Sequence, residues 1–397
     1  MISVDDALVR ILGLISRPLA ETVPLSEAQG RVLAAPLTAG HSQPPFDASA
    51  MDGYAVRAED VEPGQPLRLV GTAQAGQRFV GMLGEGHCVR IFTGAPLPIG
   101  ANAVVMQEDV EANGNAISPN IGPAIGENVR RKGNDFLEGA VLLPAGSVLT
   151  PARLNLAASA NRPRVQVGRR PKIAILATGD ELVAPGQPLG PDQIVASNSF
   201  GLIPLLSPLA ASIMDLGIVG DDRTKLDAAL LTALDAGVEV IVTTGGASVG
   251  EHDYVREVLI DLGVKLDFWK LAMRPGKPLM FGTRGKTLIF GLPGNPVSAL
   301  VTALVIVLPA LRALVGDTSP IGQRLYLPLA TDLAANGPRR HFLRATLAVD
   351  SSGSRVLPIR ETSSGHSSSL ASAEALIILP ENEPARSAGS IVEVMLL

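Results

Sequence analysis

The sequence predicts a multidomain chain of mixed class, an α/β domain joined to all-β modules, and three observations carry that prediction. Three apolar strands between Lys172 and Ser298 each run into a glycine-rich loop: Lys172-Ile-Ala-Ile-Leu-Ala-Thr-Gly-Asp-Glu-Leu182, Val240-Ile-Val-Thr-Thr-Gly-Gly-Ala-Ser-Val-Gly-Glu-His-Asp253 and Leu288-Ile-Phe-Gly-Leu-Pro-Gly-Asn-Pro-Val-Ser298. These strands alternate with helical patterns up to about Gly316, which implies βαβ units, a doubly wound arrangement and a parallel sheet covered on both faces. The flanking segments are rich in Gly and Pro with short apolar runs, as β-rich modules are. At 397 residues the chain is also too long for one ordinary domain.

Taken in order, Ser3 stands three residues ahead of Asp6, a capping-box pattern that opens an amphipathic helix over residues 3–17. A start of this kind, without a basic region, reads as a folded segment rather than a targeting peptide. Pro24, Gly30 and Pro36 then break the helical pattern. Short strands are expected at 67–70 and 103–106 within the Gly/Pro-rich stretch 41–135, and a helix at 151–160 with Pro151 suited to its first turn. Further helices are expected at 199–209, 224–236, 253–262 and 296–314. Beyond Gly316, apolar runs at 324–329, 342–349, 375–379 and 391–396 predict a small antiparallel barrel or sandwich.

Composition narrows the function. A formal net charge of −5 with no long Lys/Arg run weighs against nucleic acid or an anionic membrane as the main partner. The run 297–308 is too short to span a bilayer before Pro309 and reads as a buried helix. The single cysteine, Cys88, excludes an internal disulfide framework, and the five histidines show no zinc-site spacing. A reducing cytoplasm fits this chain.

Strand ends in an open parallel sheet share one edge, and ligands bind in the crevice outside it. The bare backbone of Gly245 and Gly246 lets successive N–H groups approach an anion, with the positive end of the next helix beyond. Thr178, Gly179 and Ser248 belong to the same pair of loops. Glu181, Asp221, Asp222 and Asp253 are carboxylates at or near strand ends, the usual partners of Mg2+ beside phosphate. Each of the last three equally suits a helix cap. Lys270, Arg274 and Lys277 crowd one short strand-and-turn segment, which reads either as a polyanion clamp or as a solvated basic turn. Trp269 reads as core. Pro293, Gly294, Asn295 and Pro296 form a rigid turn at a helix start, with Ser298 just inside the helix.

Six motifs in this order resemble the molybdopterin molybdenumtransferases, whose fold also forms the E domain of gephyrin. They are Pro45-Phe-Asp-Ala-Ser-Ala-Met-Asp-Gly-Tyr-Ala55, Arg90-Ile-Phe-Thr-Gly-Ala-Pro-Leu-Pro98, Thr178-Gly-Asp-Glu-Leu182, Gly245-Gly-Ala-Ser-Val-Gly-Glu-His-Asp253, Arg274-Pro-Gly-Lys-Pro278 and Gly291-Leu-Pro-Gly-Asn-Pro-Val-Ser298. The resemblance covers nearly the whole chain. It implies an elongated homodimer of four-domain subunits: an α/β domain at 1–20 and 168–317, a linker and dimerisation domain at 21–37 and 139–167, an inserted β-rich domain at 38–138 and a C-terminal β-barrel at 318–397.

The same resemblance implies Mg2+-dependent insertion of molybdate into adenylylated molybdopterin, with cleavage of the phosphoanhydride and release of AMP. Asp52, Thr93 and Asp135 of one subunit would face Glu181, Asp221 and Asp253 of the other. Locally, Asp52-Gly53 is a plain turn dipeptide. Arg344, with Ser368 or Ser369, would join Lys270, Arg274, Lys277 and Ser298 as anion-binding groups, and transient contact with the adenylyltransferase of the preceding step is implied. Asn134, Ala247 and Arg274 depart from the residues frequent in the family. A scaffold built on the same dimer would have no use for a complete carboxylate set, and a single-domain adenylyltransferase would not need the inserted module.

Overall fold

The computed structural model describes residues 1–16, 18–246, 254–351, 353–360 and 363–397. Its largest core is built on a six-stranded sheet in the order Ser212–Val219, Lys172–Thr178, Val240–Thr244, Thr287–Leu292, Pro278–Arg284 and Lys265–Lys270. The first four strands are parallel, and the last two are added through antiparallel pairings. The expectation of a purely parallel sheet is thereby corrected. The strand Pro278–Arg284 escaped the sequence reading, although the tight Gly285-Lys286 turn between apolar runs is a hairpin signal.

Side chains alternate across this sheet as the two-residue period of a strand requires. Ile173, Ile175, Val240, Val242, Leu288 and Phe290 face one cluster, which includes Val4, Ala7, Leu8 and Ile11 of the N-terminal helix Val4–Leu14. Ala174, Leu176, Ile241 and Ile289 face the other, against the helices Arg223–Asp235 and Tyr254–Asp261. Both faces are covered, as expected. The N-terminal helix begins as its sequence indicates: the Ser3 hydroxyl oxygen accepts from the Asp6 N–H at 3.0 Å.

The expected helix at 296–314 is present, but Pro309 does not end it. It runs as Pro296–Thr302, a wider π segment Ala303–Val307, and Leu308–Leu314. Pro309 has no N–H, and its ring crowds the carbonyl four residues earlier, so a wide turn just before it lets the helix continue. Pro296–Leu314 is therefore long and apolar enough to cross a membrane by length and composition, a correction to the shorter run read from sequence. Here Val297, Val301, Ile306 and Leu311 are buried in the main core.

Further sheets flank this unit. The segment 53–119 forms six strands in the order Ala103–Met106, Gly53–Val56, His87–Ile91, Leu67–Ala73, Ala116–Pro119, Val110–Asn113, with Cys88 fully buried. Ala20–Pro24 pairs with Arg164–Gly168, and a small core gathers Val23, Leu33, Leu37, Leu149 and Val165 around the helix Pro151–Ser159. Beyond residue 320, Leu325–Pro328, Ile391–Leu396, Ala375–Leu379, Arg340–Asp350 and Gly353–Pro358 pair in that order. A bridge from Leu329 to Val356 brings the two ends of that order together. One face of this last sheet (Phe342, Leu376, Ile378 and Met395) belongs to the main core, so the two units share apolar packing.

Candidate functional site

The strand Lys172–Thr178 has Ser212–Val219 on one side and Val240–Thr244 on the other, so the connections leaving neighbouring strand ends diverge between Thr178 and Thr244. Such a switch point opens a crevice at the carboxyl edge. A cavity of about 380 Å3 lies there. Thr178 and Glu181 come to it from the first strand, Thr244, Gly245 and Gly246 from the second, and Pro293 through Pro296 from the third.

The strand ends are closely fitted. Gly245 has φ +85°, and a Cβ there would stand 2.3 Å from the Thr178 carbonyl oxygen. Its N–H donates to the Leu292 carbonyl at 3.2 Å, so this residue stitches the second loop to the third strand. The Thr178 hydroxyl donates to the Thr244 carbonyl at 3.3 Å and is buried. Its role here is to join two strand ends. Gly179 has φ +144°, and the space a Cβ would take is filled by the Glu181 carboxylate at 2.4 to 2.8 Å. The missing side chain lets that carboxylate fold back over the loop.

The acidic candidates separate by what they already hold. Glu181 lines the cavity. The Asp221 N–H donates to Asp180 Oδ1 at 2.9 Å, which ties the second acidic strand end to the first. Asp222 caps the helix Arg223–Asp235, its Oδ1 accepting from the N–H groups of Thr224 at 2.9 Å and Lys225 at 3.1 Å. The Lys225 N–H is the largest cause holding the Asp222 carboxyl below its ordinary range. The capping reading is the one the geometry shows for Asp222. Ser248 and Asp253 lie outside the described residues. Among the described residues no three His, Cys, Asp or Glu side chains form a ready metal cage. The donor set still fits Mg2+, which takes one or two carboxylates and completes its shell with phosphate oxygens and water.

A second hollow of about 340 Å3 adjoins the first, since Pro278, Pro293 and Asn295 border both. Arg274, Lys277, Ser298, Arg339 and Ser364 line it. No ion pair engages Arg274, Lys277 or Arg339 among the described residues. The basic turn is anchored across the junction of two sheets, Met273–Arg274 pairing in parallel with Arg340 and His341. The Ser364 carbonyl accepts from the Val297 N–H at 3.3 Å, so the C-terminal segment caps the helix that begins at Pro296.

Three expected members stand apart from this hollow. Lys270 borders a separate depression with Met1 and Arg10, its ammonium 5.3 Å from the Trp269 ring centre. Trp269 itself is half-buried rather than core, with the Arg256 guanidinium 4.2 Å from its ring centre. Arg344 is buried and donates to the Ser369 hydroxyl at 2.6 Å and the Ser363 carbonyl at 3.2 Å, so it shapes the turn behind the hollow. Ser368 lies in the short helix Ser367–Ala371 and borders neither hollow, so the serine at the basic hollow is Ser364.

Burial first, then the charges of Arg274, Arg344 and Arg339, pushes His341 down to about 4. The unfolded chain binds this proton more readily than the folded one, so the neutral ring's contribution is complete above about 6.5 and lost as pH falls towards 4. Its size is on the order of 3 kcal/mol. Unfolding midpoints measured from pH 7 to pH 4 are expected to fall less steeply for His341→Gln than for the parent. Parallel profiles would remove His341 as a source of acid sensitivity.

Asp52, Thr93 and Asp135 line neither hollow of their own chain. The Asp52 carboxylate accepts from both the backbone N–H and the hydroxyl of Thr93, each at 2.7 Å. These bonds, the N–H first, hold it below its ordinary range. Asp135 is exposed on a loop, its N–H donating to the Gln43 carbonyl at 2.9 Å.

Sequence reasoning missed Asn198, Arg339 and Ser364. Asn198 opens the helix Asn198–Leu206, and its Nδ2 donates to the Gly294 carbonyl at 2.8 Å, both residues lining the first cavity. A polar residue at a helix start after the first acidic loop was the available signal. Arg339 and Ser364 have no local pattern; only the packing of the C-terminal sheet brings them here.

Three family models cover the chain: the MoeA N-terminal region (domain I and II) over residues 2–161, a probable molybdopterin binding domain over 174–313, and the MoeA C-terminal region (domain IV) over 326–397. A molybdopterin molybdenumtransferase from Nostoc sp. is 38% identical, with 95% of this chain and 88% of the relative covered. One from Bacillus subtilis is 34% identical, with 100% of this chain and 94% of the relative covered. The crystal structure of a molybdopterin biosynthesis moeA protein from Pyrococcus horikoshii OT3 superposes with a TM-score of 0.86 at 28% identity, covering all of both chains.

Proposed function

The chain belongs to the MoeA family of molybdopterin molybdenumtransferases, and from that membership we propose that it inserts molybdate into adenylylated molybdopterin with release of AMP. The observation that carries this reading is the cavity at the switch point, lined by Glu181 and two glycine loops and adjoining a hollow whose three cations have no ion pair among the described residues. A phosphoanhydride suits the first, where the bare backbone of the glycine loops allows close approach and the Asn295 N–H stands at the helix start. An oxyanion such as molybdate suits the second, where Arg274, Lys277, Arg339 and the Ser298 hydroxyl converge.

The chain's own groups bind and align. The glycine loops hold the phosphates, the rigid Pro293–Pro296 turn sets their direction, and the cations offset charge on the oxyanion. Glu181, Asp221 and Asp253 would hold Mg2+, which supplies positive charge against the leaving phosphate, while Asp222 is committed to capping its helix. The reading further includes a homodimer in which Asp52, Thr93 and Asp135 complete the partner's cavity, the four-domain organisation given above with its elongated form and C-terminal barrel, a cytoplasmic location, and transient contact with the adenylyltransferase that makes the substrate.

The test is metal insertion assayed with adenylylated molybdopterin and molybdate for Glu181→Gln and Asp253→Ala. Each is expected to lower turnover by roughly two orders of magnitude or more while leaving substrate affinity within about tenfold. Undiminished turnover in either variant would remove that carboxylate from the mechanism. Failure of the parent protein to insert the metal would remove the reading itself.

A further inference from the structure

The Pro293–Pro296 turn is held from one side by a residue that serves the fold poorly. Asn198 Nδ2 donates to the Gly294 carbonyl at 2.8 Å, yet Asn198 Oδ1 is buried with no hydrogen-bond partner among the described residues. An acceptor stripped of water and left unpaired destabilises the folded state, and an aliphatic side chain of the same size would avoid that loss. Gly294 is exposed, so water would satisfy its carbonyl if Asn198 let go. Stability alone therefore favours another residue at this position.

What the hydrogen bond does accomplish is orientation. The Gly294–Asn295 peptide is not among the cis bonds, and in a planar trans peptide the C=O and N–H point opposite ways. Fixing the Gly294 carbonyl against Asn198 thus fixes the direction of the Asn295 N–H at the start of the helix that borders the cavity. Gly294 lies against Gly245, whose Cα is 3.7 Å from the place of a Gly294 Cβ, so both glycine loops meet where this peptide is set.

We propose that Asn198 is a positioning residue for the phosphate-binding turn, setting the Gly294–Asn295 peptide for the bound anion through its amide nitrogen. This inference deepens the insertase reading and rests on it. Asn198→Leu removes the tie together with the orphaned oxygen. Asn198→Asp is isosteric, donates to Gly294 only when its carboxyl is protonated, and repels that carbonyl when ionised.

The experiment measures AMP affinity by calorimetry from pH 5 to pH 8, the KM and kcat of metal insertion, and the unfolding midpoint, on full-length protein. Asn198→Leu is expected to unfold at or above the parent's temperature while AMP affinity falls about tenfold and KM rises more than kcat falls. Asn198→Asp is expected to match the leucine variant at pH 8 and to recover towards the parent, compared at equal pH, as the pH falls to 5, because burial against the Gly294 carbonyl raises the new carboxyl above its ordinary range. Parental AMP affinity in the leucine variant, an unfolding midpoint that drops along with affinity, or an aspartate-to-parent ratio constant with pH would each overturn the proposal. Parent protein that neither binds AMP nor inserts metal would overturn the insertase reading and this inference with it. An active parent with an unaffected leucine variant overturns the inference alone.

Discussion

Mixing Asp52→Asn protein with Glu181→Gln protein, each inactive alone, is expected to restore metal insertion to about a quarter of the parental level once subunits exchange, as twofold symmetry dictates. Asp52 and Thr93 are bound to each other by two hydrogen bonds and yet line neither hollow of their own chain, whereas Glu181 lines the cavity at the sheet edge. In a twofold dimer with shared sites, a mixed dimer carries both substitutions in one site and neither in the other. Random exchange makes about half the dimers mixed, each with one working site of two. A site built within one chain gives no recovery from mixing, and that result, with exchange verified by differently tagged subunits, would end the split-site proposal.

Gly245→Ala is the single substitution expected to damage fold and site together. The new Cβ would meet the Thr178 carbonyl oxygen at 2.3 Å and the Thr178 hydroxyl oxygen at 2.8 Å, at a φ of +85° that alanine rarely adopts. Left-handed backbone and overpacking against a rigid strand each cost about 1–3 kcal/mol, so the loss is roughly 2–6 kcal/mol. Relief requires the ends of Lys172–Thr178 and Val240–Thr244 to part, which widens the cavity between them. Turnover is therefore expected to fall by roughly a hundredfold even below the unfolding temperature. Gly294→Ala is the control: the nearest atom to its Cβ is 3.7 Å away and its φ is not positive, so its stability change stays within about 0.5 kcal/mol. Thermal unfolding and insertion assays on both variants check this, and equal behaviour of the two would refute the close-fit argument.

The three central strands of the main sheet were legible because burial on both faces leaves unbroken apolar runs, and strand ends with glycine and acidic residues mark one edge whatever the surroundings. Ala375–Leu379 was legible for the same reason. Pro278–Arg284 was missed because a hairpin added to the edge of a parallel sheet departs from the βαβ rhythm that organised the reading. The helix at 296–314 was legible, but Pro309 made its apolar run read as shorter than it is, and only a π turn buried in the core shows how the chain passes the proline.

At the site, sequence by itself determined the loops: Thr178 through Glu181, Gly245 with Gly246, and Pro293 through Pro296 carry their chemistry in consecutive residues, where chain connectivity guarantees proximity. Tertiary structure alone decided which side chains join them from elsewhere. It placed Asn198 on Gly294, brought Ser364 and Arg339 beside Arg274 and Lys277, withdrew Arg344 into the turn behind them and sent Lys270 to another face. The reason is physical: a backbone loop keeps its own groups together at any fold, but a partner a hundred residues away is chosen by how whole sheets pack, and no local spacing encodes that.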